Sequence, residues 1–318
     1  MVRMLTKLKN LQRNRKPADL PTTFREGTFA PTTANILHKT LAAKGIKIED
    51  IRAHNLTDLY ASLDPTPDRP NFSMNDILLN QLPPGGQWEK NDFAVIIETR
   101  ELEELKFVIE NVSKRTSLPI QVFHGPNNRS ILNSDIAKAL IAEGKFLPVE
   151  LNETQLNAST YNAIFLDQRF YNSLAGRGHF LVFQTDALCC SDSDFVLENF
   201  LAFDYVGALW DRERPIGLRL DGGCGGFSLR DWTASTNALE RFSAEFWPGG
   251  EDGYFAFHLD LMGFRVANPK VMAQFGTQTA FHYKSFGAHK IRALNENDHI
   301  HFLDYCPEAR NILSWKRT

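Results

Sequence analysis

A chain of 318 residues, 43% hydrophobic and 23% charged, is long enough to bury one large core or two modest ones. Its net charge of −3 creates no global positive field, which removes nucleic acid as the expected partner. No apolar run approaches the roughly 20 residues that a membrane-spanning helix needs, and the start lacks the apolar core of a signal peptide.

The first segment, MVRMLTKLKNLQRNRK, spaces Met1, Met4, Leu5, Leu8 and Leu11 at helical intervals, with Arg3, Lys7, Lys9, Arg13, Arg15 and Lys16 around them. A basic amphipathic helix of this kind either lies on an anionic membrane surface or packs on its own domain, so residues 1–16 are a candidate for peripheral membrane contact. Residues 17–88 carry proline clusters and a helical stretch ending at Gly45, a good C-cap. They read as a mostly helical N-terminal extension, 1–88, with LPPGGQWEKND marking the boundary before a second unit, 89–318.

From residue 93 the pattern is α/β. FAVIIE (93–98) is a continuous apolar run, as expected of a strand buried on both faces. The following segment sets Leu102, Leu105, Val108, Ile109 and Val112 on one helical face. LPIQVFHG predicts a second strand, Ser134 predicts a helix cap, and residues 159–174, with Tyr161, Ile164, Phe165 and Leu174, predict one long helix stopping at Gly176. FLVF (180–183) predicts the next strand, SDSDFVLENFLAF a helix, and YVGALW a short strand. This alternation predicts a largely parallel central sheet flanked by helices.

The four cysteines are Cys189, Cys190, Cys224 and Cys306, without CxxC spacing. In a chain of this length they read as buried thiols rather than a disulfide scaffold or a zinc knuckle, consistent with a reducing, cytoplasmic setting.

In parallel sheets, ligands bind beyond the carboxyl ends of the strands. That places Glu98, Thr99 and Arg100 on the same rim as Gln184, Thr185 and Asp186. DGGCGGFSLR (221–230) holds four glycines within five residues. Glycines allow positive φ or a close backbone approach, and the bland alternative is a tight turn before a strand. Neither a GxGxxG nor a Walker loop is present. Glu251 and Asp252 open an apolar helix that Gly263 ends. Acids there are stabilised by the exposed amides in any protein, and the functional alternative is a general base at a rigid helix start. FHYKSFGAHK adds His282, Lys284, His289 and Lys290.

The ordered set VIIETR, FQTD, FDYVGALW, GGCGGFSLR, GGEDGYF and FGAHK resembles a family of originally unknown function related to GT-A glycosyltransferases, over roughly residues 90–292. The resemblance implies a Rossmann-like GT-A fold and a nucleotide-diphosphate sugar as donor. It implies that Glu98, Thr99 and Arg100 face the nucleotide and that QTD takes the place of the metal-binding DxD motif, with Asp186 holding Mn²⁺ or Mg²⁺. GGFSLR, through Gly225 and Gly226, would line the sugar and acceptor pocket. Glu251 and Asp252 match the catalytic acid, while His289 and Lys290 complete the metal and diphosphate site. Gln184 departs from the DxD pattern of the wider fold group, although its amide carbonyl still offers an oxygen to an ion, a sugar or a ribose.

The expected activity is therefore sugar transfer to a glycan or lipid-linked hydroxyl, with inversion, Asp252 as base and Glu251 in reserve. The competing readings are a non-catalytic nucleotide-sugar or glycan-binding module and a sugar nucleotidylyltransferase. IIETRELEELK lacks the glycine run that the latter needs after its first strand.

Overall fold

The computed structural model describes residues 45, 56–58, 78–88, 91–210, 221–247, 249–278 and 281–314. The amphipathic segment 1–16 and the helix expected before Gly45 lie outside the described residues.

In chain order, the first strand β1 (Phe93–Glu98) is followed by helix α1 (Glu104–Thr116), β2 (Ile120–His124), α2 (Asp135–Ala142) and β3 (Phe146–Glu150). Two short helices, α3 (Ala158–Phe165) and α4 (Gln168–Ser173), lead into β4 (His179–Phe183) and β5 (Ala187–Cys189). Then come β6 (Tyr205–Gly207), β7 (Phe227–Asp231), α5 (Trp232–Arg241), α6 (Glu251–Leu261) and α7 (Pro269–Phe275). The chain closes with β8 (Gly276–Thr277), β9 (Gly287–His289), α8 (Glu296–Tyr305) and α9 (Ala309–Ser314).

The expected α/β architecture with a largely parallel, helix-flanked sheet is present. Six strands run in the order β3-β2-β1-β4-β7-β6, and β5-β9-β8 form a second, small sheet. Strands β1 to β4 are parallel, and β7 is antiparallel to both of its neighbours. Every residue of β1 is buried, as its unbroken apolar run dictates. Helix α1 buries Leu105, Val108, Ile109 and Val112 beneath the sheet, while Leu102 precedes the helix. The strand order reverses direction between β1 and β4, which opens a crevice at their carboxyl ends.

Several elements differ from the sequence expectation. The long helix predicted over 159–174 is two, because the Asp167 carboxylate accepts the Arg169 N–H at 2.8 Å and caps a new helix start. SDSDFVLENFLAF is not a helix beyond one turn, Leu197–Asn199. Ser193 Oγ and Asn199 Oδ1 take the N–H groups of Phe195 and Val196, and Asp194 N–H donates to Lys284 O, so the backbone is satisfied outside a helix. Strand β3 is unexpected because it contains Pro148, a residue tolerated there since β3 is an edge.

The cysteine reading also needs correction. Cys190 and Cys306 form a disulfide across 116 residues of chain, leaving Cys189 and Cys224 as buried free thiols. At the other end of the unit, Leu78 and Leu79 are buried in the same core. The N–H groups of Gly85, Gly86 and Trp88 donate to the carbonyls of Asn172, Leu174 and Ala175. No helix among the described residues is long and apolar enough to cross a membrane.

Candidate active site

Three pairings bring distant segments to one rim. β1 lies beside β4, so the residues after Glu98 adjoin those after Phe183. Because β7 runs antiparallel to β4, with Phe183 opposite Phe227, its entering residues Gly225 and Gly226 arrive at that same edge. Ala187 pairs with His289 in the small sheet, which sets His289 next to Asp186. The result is a cavity of about 620 Å³. Its walls include Glu98, Thr99, Arg100, Gln184, Thr185, Asp186, Gly225, Gly226, Glu251, Asp252, His289 and Lys290, whereas His282 and Lys284, singled out beside them in the sequence, do not line it.

At the corner where the end of β4 meets β9, His289 Nε2 is 3.1 Å from Asp186 Oδ1 and 3.1 Å from Gln184 Oε1. Adjacent oxygen or nitrogen donors around an octahedral ion with bonds of about 2.1 Å stand about 3.0 Å apart. The two distances from His289 match that spacing, so these side chains are candidates to hold a divalent cation. His289 is buried, whereas the Asp186 side chain is 44% exposed at the mouth. Burial disfavours the charged imidazole, but Cys224 and Asp186 outweigh it and push the His289 pKa up to about 9. Burial likewise works against the Asp186 charge, yet His289 and Lys290 hold its carboxyl below the ordinary range. Lys290, exposed and left-handed at φ 53°, donates its N–H to Asp186 O at 3.2 Å.

Glu98 at the end of β1 and the two residues after it divide their roles. The Glu98 carboxylate is clamped by Arg100, with Nε to Oε1 at 2.8 Å and Nη2 to Oε2 at 2.7 Å, and it also accepts the Arg100 N–H. Thr99 Oγ1 accepts the Leu156 N–H, fixing the opposite lip. Arg100 keeps half its side chain exposed, so it is the group of the three that presents charge outward.

The glycines separate into two kinds. Gly222 and Gly223 have φ of +105° and +89°, which only glycine adopts without strain. Gly225 and Gly226 instead make room for side chains. A Cβ on Gly225 would lie 1.8 Å from Glu251 Oε1, and one on Gly226 2.5 Å from His289 Nε2. Beyond them, Phe227 to Arg230 enter the buried strand and do not line the cavity, so GGFSLR reaches it through its two glycines alone.

On the opposite wall, Glu251 and Asp252 start α6. Asn162 Oδ1 accepts the Glu251 N–H at 3.2 Å. The Glu251 carboxylate faces the Arg230 guanidinium at 2.6 Å, both buried. Burial disfavours the Arg230 charge, and the Glu251 carboxylate overcomes this to hold its pKa above the ordinary value. Asp252 is half-buried and accepts the N–H of Gly253. Sequence reading did not find Asn157, Tyr161, Asn162 and Gln278, which also line the cavity. Tyr161 carried only the signal of an apolar helical position, yet burial and the Glu251 charge raise the pKa of its shielded hydroxyl.

A family model described as protein of unknown function (DUF5672) matches residues 147–289. That span holds the QTD, glycine and ED segments and ends at His289, leaving β1, β2 and Lys290 outside. Among solved structures, the mannosyltransferase PcManGT from Pyrobaculum calidifontis, in complex with GDP-Man and Mn²⁺, is similar at 15% identity and TM-score 0.35. The likeness covers 74% of this chain and 66% of the mannosyltransferase, slightly under two thirds of its length. A protein from Bacillus anthracis assigned as a glucose-1-phosphate thymidylyltransferase, in complex with a sucrose, is similar at 12% identity and TM-score 0.35. That likeness covers 56% of this chain and 86% of the other. No curated protein matches the chain.

Proposed function

We propose that this chain is a nucleotide-sugar-dependent glycosyltransferase of GT-A type. It transfers a sugar, with inversion, from a nucleotide-diphosphate donor to the hydroxyl of a glycan or lipid-linked acceptor. The observation that carries the reading is the meeting of Asp186, His289 and Gln184 at one mouth of the cavity, with Asp252 on the facing wall. Mn²⁺ or Mg²⁺ would be held by those three side chains and would supply Lewis-acid polarisation of the diphosphate oxygens.

The chain's own groups account for the rest of the chemistry. Arg100 and Lys290 meet the negative charge of the diphosphate, and that charge grows as the bond from the anomeric carbon to the leaving oxygen breaks. The acceptor oxygen bonds to the opposite face of that carbon, and its proton passes to Asp252. Glu251 is a poor second base, because protonating it would strand the buried Arg230 charge. Its fixed carboxylate instead suits hydrogen bonding to sugar hydroxyls.

Thermal shift with a panel of nucleotide-diphosphate sugars, with and without Mn²⁺, tests binding. Release of nucleoside diphosphate by wild type and Asp252→Asn tests transfer, with an expected loss of about 10²–10⁴-fold. A donor that binds but is never cleaved with any acceptor would replace this reading with that of a binding module.

A further inference from the structure

His289 faces two ways. Its Nε2 points to Asp186 and Gln184 at the cavity mouth, and its Nδ1 lies 3.3 Å from Cys224 Sγ on the inner side. An imidazole can give one ring nitrogen to an ion only if the other carries the proton and has an acceptor for it, and that acceptor also sets the ring plane. The common acceptors are carboxylates and backbone carbonyls. At this position the ring meets a thiol, and it lines the cavity.

We propose that Cys224 is the positioning residue of this site: its sulfur accepts the Nδ1–H of His289 and holds the ring so that Nε2 is aimed at the cation position between Asp186 and Gln184. The inference rests on the metal reading of Asp186 and His289. It concerns the orientation of the ring and touches no substrate atom.

The backbone around Cys224 is built to hold the sulfur still. Its N–H donates to Ala208 O at 2.9 Å. Its carbonyl packs against Gly207 so closely that a Cβ there would come within 2.1 Å of it. The positive-φ pair Gly222–Gly223 turns the chain into Cys224, and the missing Cβ of Gly226 clears the space that the imidazole fills. The other free thiol, Cys189, is not part of the cavity, and burial pushes its pKa up. Sulfur suits the gap for a physical reason. Its long C–S bond and diffuse lone pairs reach Nδ1 from a backbone that cannot move closer.

The test uses the full chain. Mn²⁺ is titrated in the presence of UDP or GDP, reading the free ion by electron paramagnetic resonance, for wild type, Cys224→Ala, Cys224→Ser and His289→Ala. In parallel, the metal-free protein labelled with ¹⁵N-histidine reports the ring nitrogens of His289, assigned by their loss in His289→Ala. The expected result is Mn²⁺ affinity about 10–100-fold weaker in Cys224→Ala. Cys224→Ser should recover part of it, and the Nδ1 resonance should move when the sulfur is removed. Equal Mn²⁺ affinity in wild type and Cys224→Ala, with unmoved ring resonances, overturns the proposal and leaves the metal reading standing. A wild type that takes up no Mn²⁺ overturns both, a different result from a neutral Cys224 variant of a protein that binds the ion. If Cys224→Ala does not fold, the serine variant and its ring spectrum decide, since hydroxyl replaces thiol with little change of volume.

Discussion

The guanidinium of Arg230 and the carboxylate of Glu251 meet at 2.6 Å in the interior, one from strand β7 and the other from the first turn of α6. The Arg230 side chain is fully buried, with the rings of Phe165, Tyr205 and Phe255 around it. The pair ties the first turn of α6, which carries Asp252, to the sheet.

Removing one member of a buried ion pair leaves the other charged and uncompensated. Arg230→Met should therefore cost about 3–5 kcal/mol in urea unfolding. Arg230→Met combined with Glu251→Leu should recover most of that loss, because the desolvation penalty disappears with the charges. If the double variant is as stable as wild type yet releases no nucleoside diphosphate, the pair serves the site beyond holding the fold.

Gly226→Ala tests whether the second glycine pair exists for space. Its Cβ would stand 2.5 Å from His289 Nε2 and 2.6 Å from Gln184 Oε1, so both side chains must shift. A displacement near 1 Å should lower transfer by about 10²-fold. The unfolding midpoint should change far less than in Arg230→Met, since the clash falls on side-chain ends at a cavity wall. Unchanged Mn²⁺ uptake and activity would show that the ring and amide have room to move.

Much of this site is legible in the sequence because its segments end strands or begin helices, and strand ends in parallel sheets share a rim. The apolar run of β1, the polar ETR and QTD at the ends of buried strands, and the acids that open α6 all carry that local signal. What is missing is non-local. Arg230 ends an apolar-polar alternation that reads as half-exposed, and only the fold brings Glu251 to neutralise it. Cys190 and Cys306 carry no spacing signal, because their pairing is decided by how α8 packs beside β5. Tyr161 looks like a core residue from its helical spacing, since periodicity reports which face is covered but not whether a cavity lies there.

The Cys190–Cys306 disulfide closes a loop of more than a hundred residues that contains β6, β7 and α6, and it holds the segment bearing Arg292 and Ile312 of the cavity wall. Cys306→Ser, or reduction of the native protein, should lower stability by about 2–5 kcal/mol. Thiol titration under denaturing conditions checks the pairing directly, with two free thiols expected before reduction and four after it.

Away from the site, Asp92 and His179 join the start of β1 to the start of β4 and give stability a pH signature. Asp92 Oδ1 accepts the His179 backbone N–H at 2.7 Å and lies 3.7 Å from the ring Nδ1, while Nε2 donates to Phe203 O at 3.2 Å. Burial disfavours both charges, but hydrogen bonding and mutual attraction prevail: His179 titrates above its ordinary 6.5 and Asp92 below its ordinary 3.8. The His179 contribution is complete below pH 6.5 and is lost as pH rises through the raised folded value. The Asp92 contribution is present above pH 3.8 and is lost as pH falls through the depressed one. The pair thus stabilises most between about pH 4 and 6.5. Asp92→Asn keeps an oxygen for the backbone N–H but removes the charge. Its deficit in urea unfolding should be about 1 kcal/mol or less at pH 5.5 and should shrink by pH 9, where the imidazole is neutral. A deficit that is constant from pH 5.5 to 9 would mean that the hydrogen bond, and not the ion pair, joins the two strands.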